Sequence, residues 1–156
     1  MPTTNTLAQK RIEALENQLD TFDTDDGKLL ALNELAGFYT FTNIREAQKR
    51  LAEQNRLLLK REYPDLLLNF NLNTAIVENQ FYNYRLSEIH FRQALAIVEN
   101  EGNVSQLVEV LIDFAGTLIN MHKLTEAANL LERADLQLKS FPDEILSARL
   151  LCREGY

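Results

Sequence analysis

The chain is predicted to be an all-α protein, a solenoid of about three antiparallel helix pairs with a leading helix before them and part of a fourth pair after them. Composition and periodicity carry this prediction. Of 156 residues, 46% are hydrophobic, enough for a substantial core, while five Gly and three Pro leave few of the turns an all-β fold of this length would need. Small residues recur along the chain: Ala36, Ala75, Ala115 and Gly155 at spacings of 39, 40 and 40, and Ala47, Ser87 and Ala127 at 40 and 40. Larger apolar residues hold the same register, with Ile44, Tyr84 and Leu124 three positions before the second small residue and Leu51, Phe91 and Leu131 four after it. A third small position, Ala94 and Ala134, has Gln54 as its first-repeat counterpart. Steric demand where two helices approach closely explains small residues at these points, and no chemistry is required of them.

A leading helix is expected over about Thr6 to Asp20, with Leu7, Ile12, Leu15 and Leu19 on one side. The turn Phe22-Asp23-Thr24-Asp25-Asp26-Gly27 then offers Thr24, Asp25 or Asp26 as an N-cap. Helix A1 follows from near Lys28 to Tyr39, and helix B1 from about Ile44 to Arg61, stopping before Pro64 because a residue preceding proline is driven out of the helical region. Helix A2 covers roughly Asp65 to Gln80, B2 Arg85 to Asn100, A3 Ser105 to Met121 and B3 Thr125 to Lys139, with the turn Asn100 to Asn103 between B2 and A3. Pro142, with Asp143 and Glu144 in the first turn, opens a last helix that would place Gly155 where Ala115 stands in the third repeat. One domain over 1–156 is expected, divided as 1–27, 28–64, 65–103, 104–141 and 142–156, so that the chain ends inside a repeat. In A2, Asn69, Asn71 and Asn73 alternate with apolar residues, and asparagine competes for backbone groups that a helix needs. A strand over Leu66 to Leu72 is the minor alternative there.

The pattern resembles the tetratricopeptide repeat, whose first helix carries L-G-x-x-Y and whose second carries small residues at set intervals. Leu111, Phe114, Ala115, Leu118, Leu124, Ala127, Leu131 and Ala134 match it best. Leu32, Leu35, Ala36, Tyr39, Ala47 and Leu51 carry it in the first repeat, where the connection is one residue short. Ala75, Tyr84, Ser87, Phe91 and Ala94 carry it in the second, where Asn71, Thr74 and Glu78 replace large apolar residues. A 40-residue unit looks like the longer repeats found in bacterial signalling proteins ahead of histidine kinase, nucleotide cyclase or transcription-factor modules. The resemblance implies a right-handed superhelix whose A helices line a concave, partner-binding groove. Family positions carried over place Leu30, Asn33, Glu34, Gly37, Thr40 and Phe41 there, then Asn69, Leu72, Asn73, Ile76, Asn79 and Gln80. Glu109, Ile112, Asp113, Gly116, Ile119 and Asn120 follow in the third repeat, and Arg149, Cys152, Arg153 and Tyr156 in the fourth.

Other functions lack a sequence basis. A formal net charge of -7 repels phosphate backbones and anionic membranes, and no basic stripe offsets it. The start lacks a secretory h-region, and no apolar run approaches the ~18 residues of a membrane span, so a cytoplasmic location is expected. The single Cys152 permits no internal disulfide, and the Asn103-Val104-Ser105 sequon carries no weight in that setting. The five glycines are dispersed rather than gathered in a phosphate loop, and His90 and His122 form no metal motif. Counting back from Gly27 puts Phe22 and Thr24 where a calcium loop needs oxygen ligands. With no nucleophile and base in register, neither enzymatic activity nor a cofactor is expected.

Protein or peptide binding is therefore the expected function, as the N-terminal sensory or docking region of a larger signalling protein. Asn33, Glu34, Asn69, Asn73, Ile76, Gln80, Glu109, Ile112, Asp113 and Asn120 are the expected contact residues. On a helix, residues 69, 73, 76 and 80 share a face, so their amides would form a row able to pair with an extended backbone. Glu34, Glu109 and Asp113 favour a neutral or basic partner over an acidic tail. Self-association into a homodimer, or a free-standing adaptor, is the alternative.

Overall fold

The structure, a computed structural model, describes residues 6–58 and 63–155. Those residues form eight α-helices, one short 3-10 turn and no strand. They are α1 (Leu7–Gln18), the 3-10 turn Leu19–Thr21, α2 (Asp25–Thr42), α3 (Ile44–Leu58), α4 (Pro64–Gln80), α5 (Tyr84–Glu101), α6 (Val104–Asn120), α7 (Leu124–Ser140) and α8 (Glu144–Glu154). α3, α5 and α7 begin at residues 44, 84 and 124, and α4, α6 and α8 at 64, 104 and 144, so these six starts keep a 40-residue step, which the start of α2 at 25 misses by one. Leu66 to Leu72 lie within α4, which removes the strand alternative.

The chain divides into two compact units, Met1–Asn73 and Thr74–Tyr156, with the division falling within α4 and inside the expected second repeat. In the first unit α1 packs on α2 and α2 on α3. Its core joins Ile12, Leu15 and Leu19 to Ala31, Leu32 and Leu35, with Phe38, Tyr39 and Leu57 against its edge. Leu7 does not share that face and is 86% exposed, because it is the first helical residue, a turn before the buried stripe begins. Thr6 caps α1 in a reciprocal capping box with Gln9, and Thr24 caps α2 by accepting from the Gly27 N–H. Asn43 alone joins α2 to α3 and caps the latter through the Glu46 N–H. The expected extension of this helix to Arg61 falls on residues outside those described.

In the second unit α6 is the central helix, packed against α5, α7 and α8, and it buries residues on most of its circumference. α7 also packs on α8. Phe91 and Phe114 stack with ring centroids 5.5 Å apart, and the Arg92 guanidinium lies 5.1 Å above the Phe114 ring. The small residues sit where helices approach: Ala75, Ser87, Ala94, Ala115 and Ala134 are at 0% exposure, as are Ala36 and Ala47 in the first unit, where the larger Gln54 at the third small position is buried as fully. Gly155 departs from this rule, since α8 stops at Glu154 and leaves it exposed. The three-residue connections after α4 and after α6 each hold a left-handed residue, Tyr82 at φ 64° and His122 at φ 59°. Asn83 N–H reaches back to Glu78 O and Lys123 N–H to Leu118 O, both at 2.8 Å, the six-to-one bond of a Schellman end.

Candidate partner-binding surfaces

The sequence-predicted contact residues fall in both units, and their surroundings differ. In the first unit Asn33 is half-buried on α2, its Oδ1 accepting from Gln54 Nε2 of α3 at 3.4 Å. Gln54 is itself fully buried, and its Oε1 has no partner. Glu34 is not free, because Arg11 of α1 donates to both its oxygens, Nε and Nη2 each at 3.2 Å. Asn69 is exposed on α4. Asn73, one turn on, holds its Nδ2 4.0 Å from where a Cβ on Gly37 would stand. Asn71 is 2% exposed and donates Nδ2 to Leu67 O at 3.0 Å. Its amide is thus bonded within its own helix on the core side, which is how asparagine is accommodated in α4. Thr40 is also buried, donating its hydroxyl to Ala36 O at 2.7 Å, and so faces the core rather than a partner.

Ile76 and Gln80 belong to the second unit, half-buried and exposed respectively. Ile112 is 1% exposed and is part of the core, so it cannot touch a partner; α6 packs on three helices, which leaves it a narrow open strip. That strip carries Glu109, Asp113 and Asn120, and Gly116 shares their face but is buried. Arg149 of α8 is paired with Asp113 and lies 3.6 Å from Glu109 through Nη1. Asn120 Nδ2 donates to Asn79 Oδ1 at 3.2 Å, and Thr117, buried behind them, donates to the same oxygen at 3.0 Å. Ser87 Oγ lies 3.1 Å from Thr117 and donates to Ala75 O at 2.7 Å. The short polar chain from the core to the strip therefore orients the Asn79 amide.

The acidic character expected of these residues is largely consumed by arginine. Glu34, Glu109 and Asp113 each face a guanidinium, and these partners, distant in sequence, carry no spacing signal. A glycine inside an apolar helix is a signal that was there to be read: a Cβ on Gly116 would stand 2.7 Å from Arg153 Cζ. Tyr156, expected to follow Arg153 on this face, lies outside the described residues.

Other ionisable groups hold the framework. Glu88, 9% exposed, accepts from Lys123 Nζ at 2.8 and 3.0 Å and from Arg92 at 2.7 Å, and Arg92 also reaches Glu126. Burial pushes the Glu88 carboxyl up, but the hydrogen bonds from Lys123 and Arg92 outweigh it and hold it below its ordinary value. Tyr39 is driven up to about 12, first by burial and then by its hydrogen bond to Glu16, which Arg50 also engages. Burial lowers His90, with the Glu78 charge opposing. Among the described residues no three of His, Cys, Asp and Glu are grouped to hold a metal ion, and no helix is long and apolar enough to cross a membrane. The chain matches no protein-family model and none of the curated proteins compared with it.

Proposed function

We propose that the chain is a tetratricopeptide-like solenoid that binds an extended peptide or protein segment through the open faces of its first-of-pair helices. The observation that carries this reading is the 40-residue step of the helix starts, together with α6 packing on α8 across the intervening α7. A contact of this kind, between one first helix and the next, is what stacked helix pairs require. The strip left open on α6 is polar and amide-bearing, which suits recognition of a peptide backbone with little demand on its side chains. On this proposal the chain serves as the sensory or docking part of a larger bacterial signalling protein.

The test is selection from a displayed random-peptide library with the intact chain, followed by calorimetry on synthetic peptides. Substituting Asn69, Asn73 and Asn120 with Ala should weaken a selected peptide without loss of helical content. Self-association is the second reading, favoured by the exposed apolar side chains of Ile145 (75%) and Leu151 (68%) on α8. Light-scattering mass that stays monomeric across concentration excludes it.

A further inference from the structure

Two features of the α6 strip are used neither by packing nor by ion pairing. The first is the Asn79–Asn120 pair. A primary amide has one oxygen end and one NH2 end, and the bond between the two residues consumes one of each. One NH2 end, that of Asn79, and one oxygen end, that of Asn120, remain available. A residue in an extended chain turns its own C=O and N–H to the same side, as in the hydrogen-bonded pair of an antiparallel ladder. The pair is complementary to that single residue, and Thr117, 1% exposed, fixes its orientation from behind.

The second feature is the Arg153 guanidinium, seated against Gly116. A Cβ there would stand 2.7 Å from Cζ, 2.8 Å from Nη2 and 3.1 Å from Nε. Glycine is unfavourable inside a helix, and its evident effect here is to let the guanidinium lie on the backbone. Arg149, one turn earlier on α8, is held by Asp113 and Glu109, whereas Arg153 has no carboxylate within ion-pair distance among the described residues. The four charges on this strip sum to zero, and the hydrogen-bonding capacity left over is the set of Arg153 donors. Gly116 and Asn120 are four residues apart, so their Cβ positions are about 5–6 Å apart on one face. An extended chain advances roughly 3.3 Å per residue, which puts the guanidinium about two ligand residues from the amide pair.

We propose that this strip binds an extended peptide carrying a carboxylate, with Asn79 and Asn120 gripping the backbone of one residue and Arg153 taking the carboxylate about two residues away. The proposal rests on the peptide-binding reading and narrows it to an acidic ligand, against the neutral or basic partner expected from sequence. An Asp or Glu side chain and a chain-terminal carboxylate present the same chemistry to a guanidinium fork.

The probe is a displayed random-peptide library, followed by fluorescence anisotropy of the selected peptides made synthetically. The expected result is an acidic residue, or a free C-terminus, at one shared position. Arg153→Gln should then weaken binding by about tenfold or more, and Arg153→Lys should restore part of the loss. Changing Asp or Glu to its amide, against amidating the C-terminus, tells the two carboxylate sources apart. N-methylation of the gripped residue should weaken binding to the native chain but add no penalty in the Asn79→Ala/Asn120→Ala variant. Peptides with no acid preference, or with equal affinity for Arg153→Gln, overturn the proposal while leaving peptide binding intact. A library that yields no binder removes the peptide-binding reading itself.

Discussion

Replacing three helical or helix-end glycines by alanine, one at a time, probes what each leaves room for. Gly37 and Gly116 lie inside helices, where alanine is better than glycine by about 1 kcal/mol. At Gly37 the nearest atom to an added Cβ is Asn73 Nδ2 at 4.0 Å, ordinary contact, so the whole gain of ~1 kcal/mol should appear. At Gly116 the added atom meets the far end of Arg153, a flexible side chain with no ion pair to lose. The guanidinium swings aside at a cost of a few tenths, leaving a net gain of roughly 0.5 kcal/mol. Gly102 is the control, since there the Cβ would stand 2.7 Å from Val98 Cα and 2.9 Å from Val98 O. Backbone must move, and a loss of about 1–3 kcal/mol is expected. Urea unfolding followed by circular dichroism gives the three midpoints, with unchanged slopes confirming that the unfolded state is not the cause. A Gly116→Ala variant destabilised as much as Gly102→Ala would refute the argument, because it would mean the Arg153 guanidinium is locked to α6 rather than merely seated there.

Three further outcomes follow from the same geometry. Tyr39 has its folded pKa raised to about 12 above an unfolded value of 10.0, so the stability it contributes is full below pH 10 and lost as pH rises toward 12. Tyrosinate absorbance during alkaline titration should show one late component that disappears in Tyr39→Phe. Glu88 is shifted the other way, so its contribution is present above the ordinary carboxylate value of 4.5 and lost as pH falls through its lower folded value. Urea midpoints measured from about pH 5 down to pH 3 should fall less steeply in Glu88→Gln than in the native chain. His122 stands at φ 59° in an exposed turn, where glycine carries no Cβ penalty, and His122→Gly should raise the thermal midpoint by about 2–4 °C.

The helices were legible because their signals are local or periodic. Apolar spacing, Thr24 and the residues before Pro64 and Pro142 locate the elements to within a few residues, and the recurrence of Ala36, Ala75 and Ala115 marks helix contacts without any knowledge of the partner helix. The shortened first connection was readable too, and Asn43 bridges it without a left-handed residue. Which side chains of these helices stay accessible was less legible. Asn33 and Asn73 are half-buried and Asn120 is exposed, whereas Ile112 and Thr40 are buried, because the number of neighbours packed around a helix sets the width of its open strip and helical periodicity alone cannot supply that number.

Sequence by itself determined the all-helical class, the repeat length and the positions where side chains must be small, since hydrophobic period and steric bulk are properties of residues read a few positions apart. Tertiary structure alone decided the charge pattern. Arg11 meets Glu34 across 23 residues, and Arg149 meets Asp113 across 36. Electrostatic pairing depends on distance in space, and the chain must fold before those distances exist. The same holds for Gly116 and Arg153, far apart in the sequence, which together seat a guanidinium against the backbone of α6.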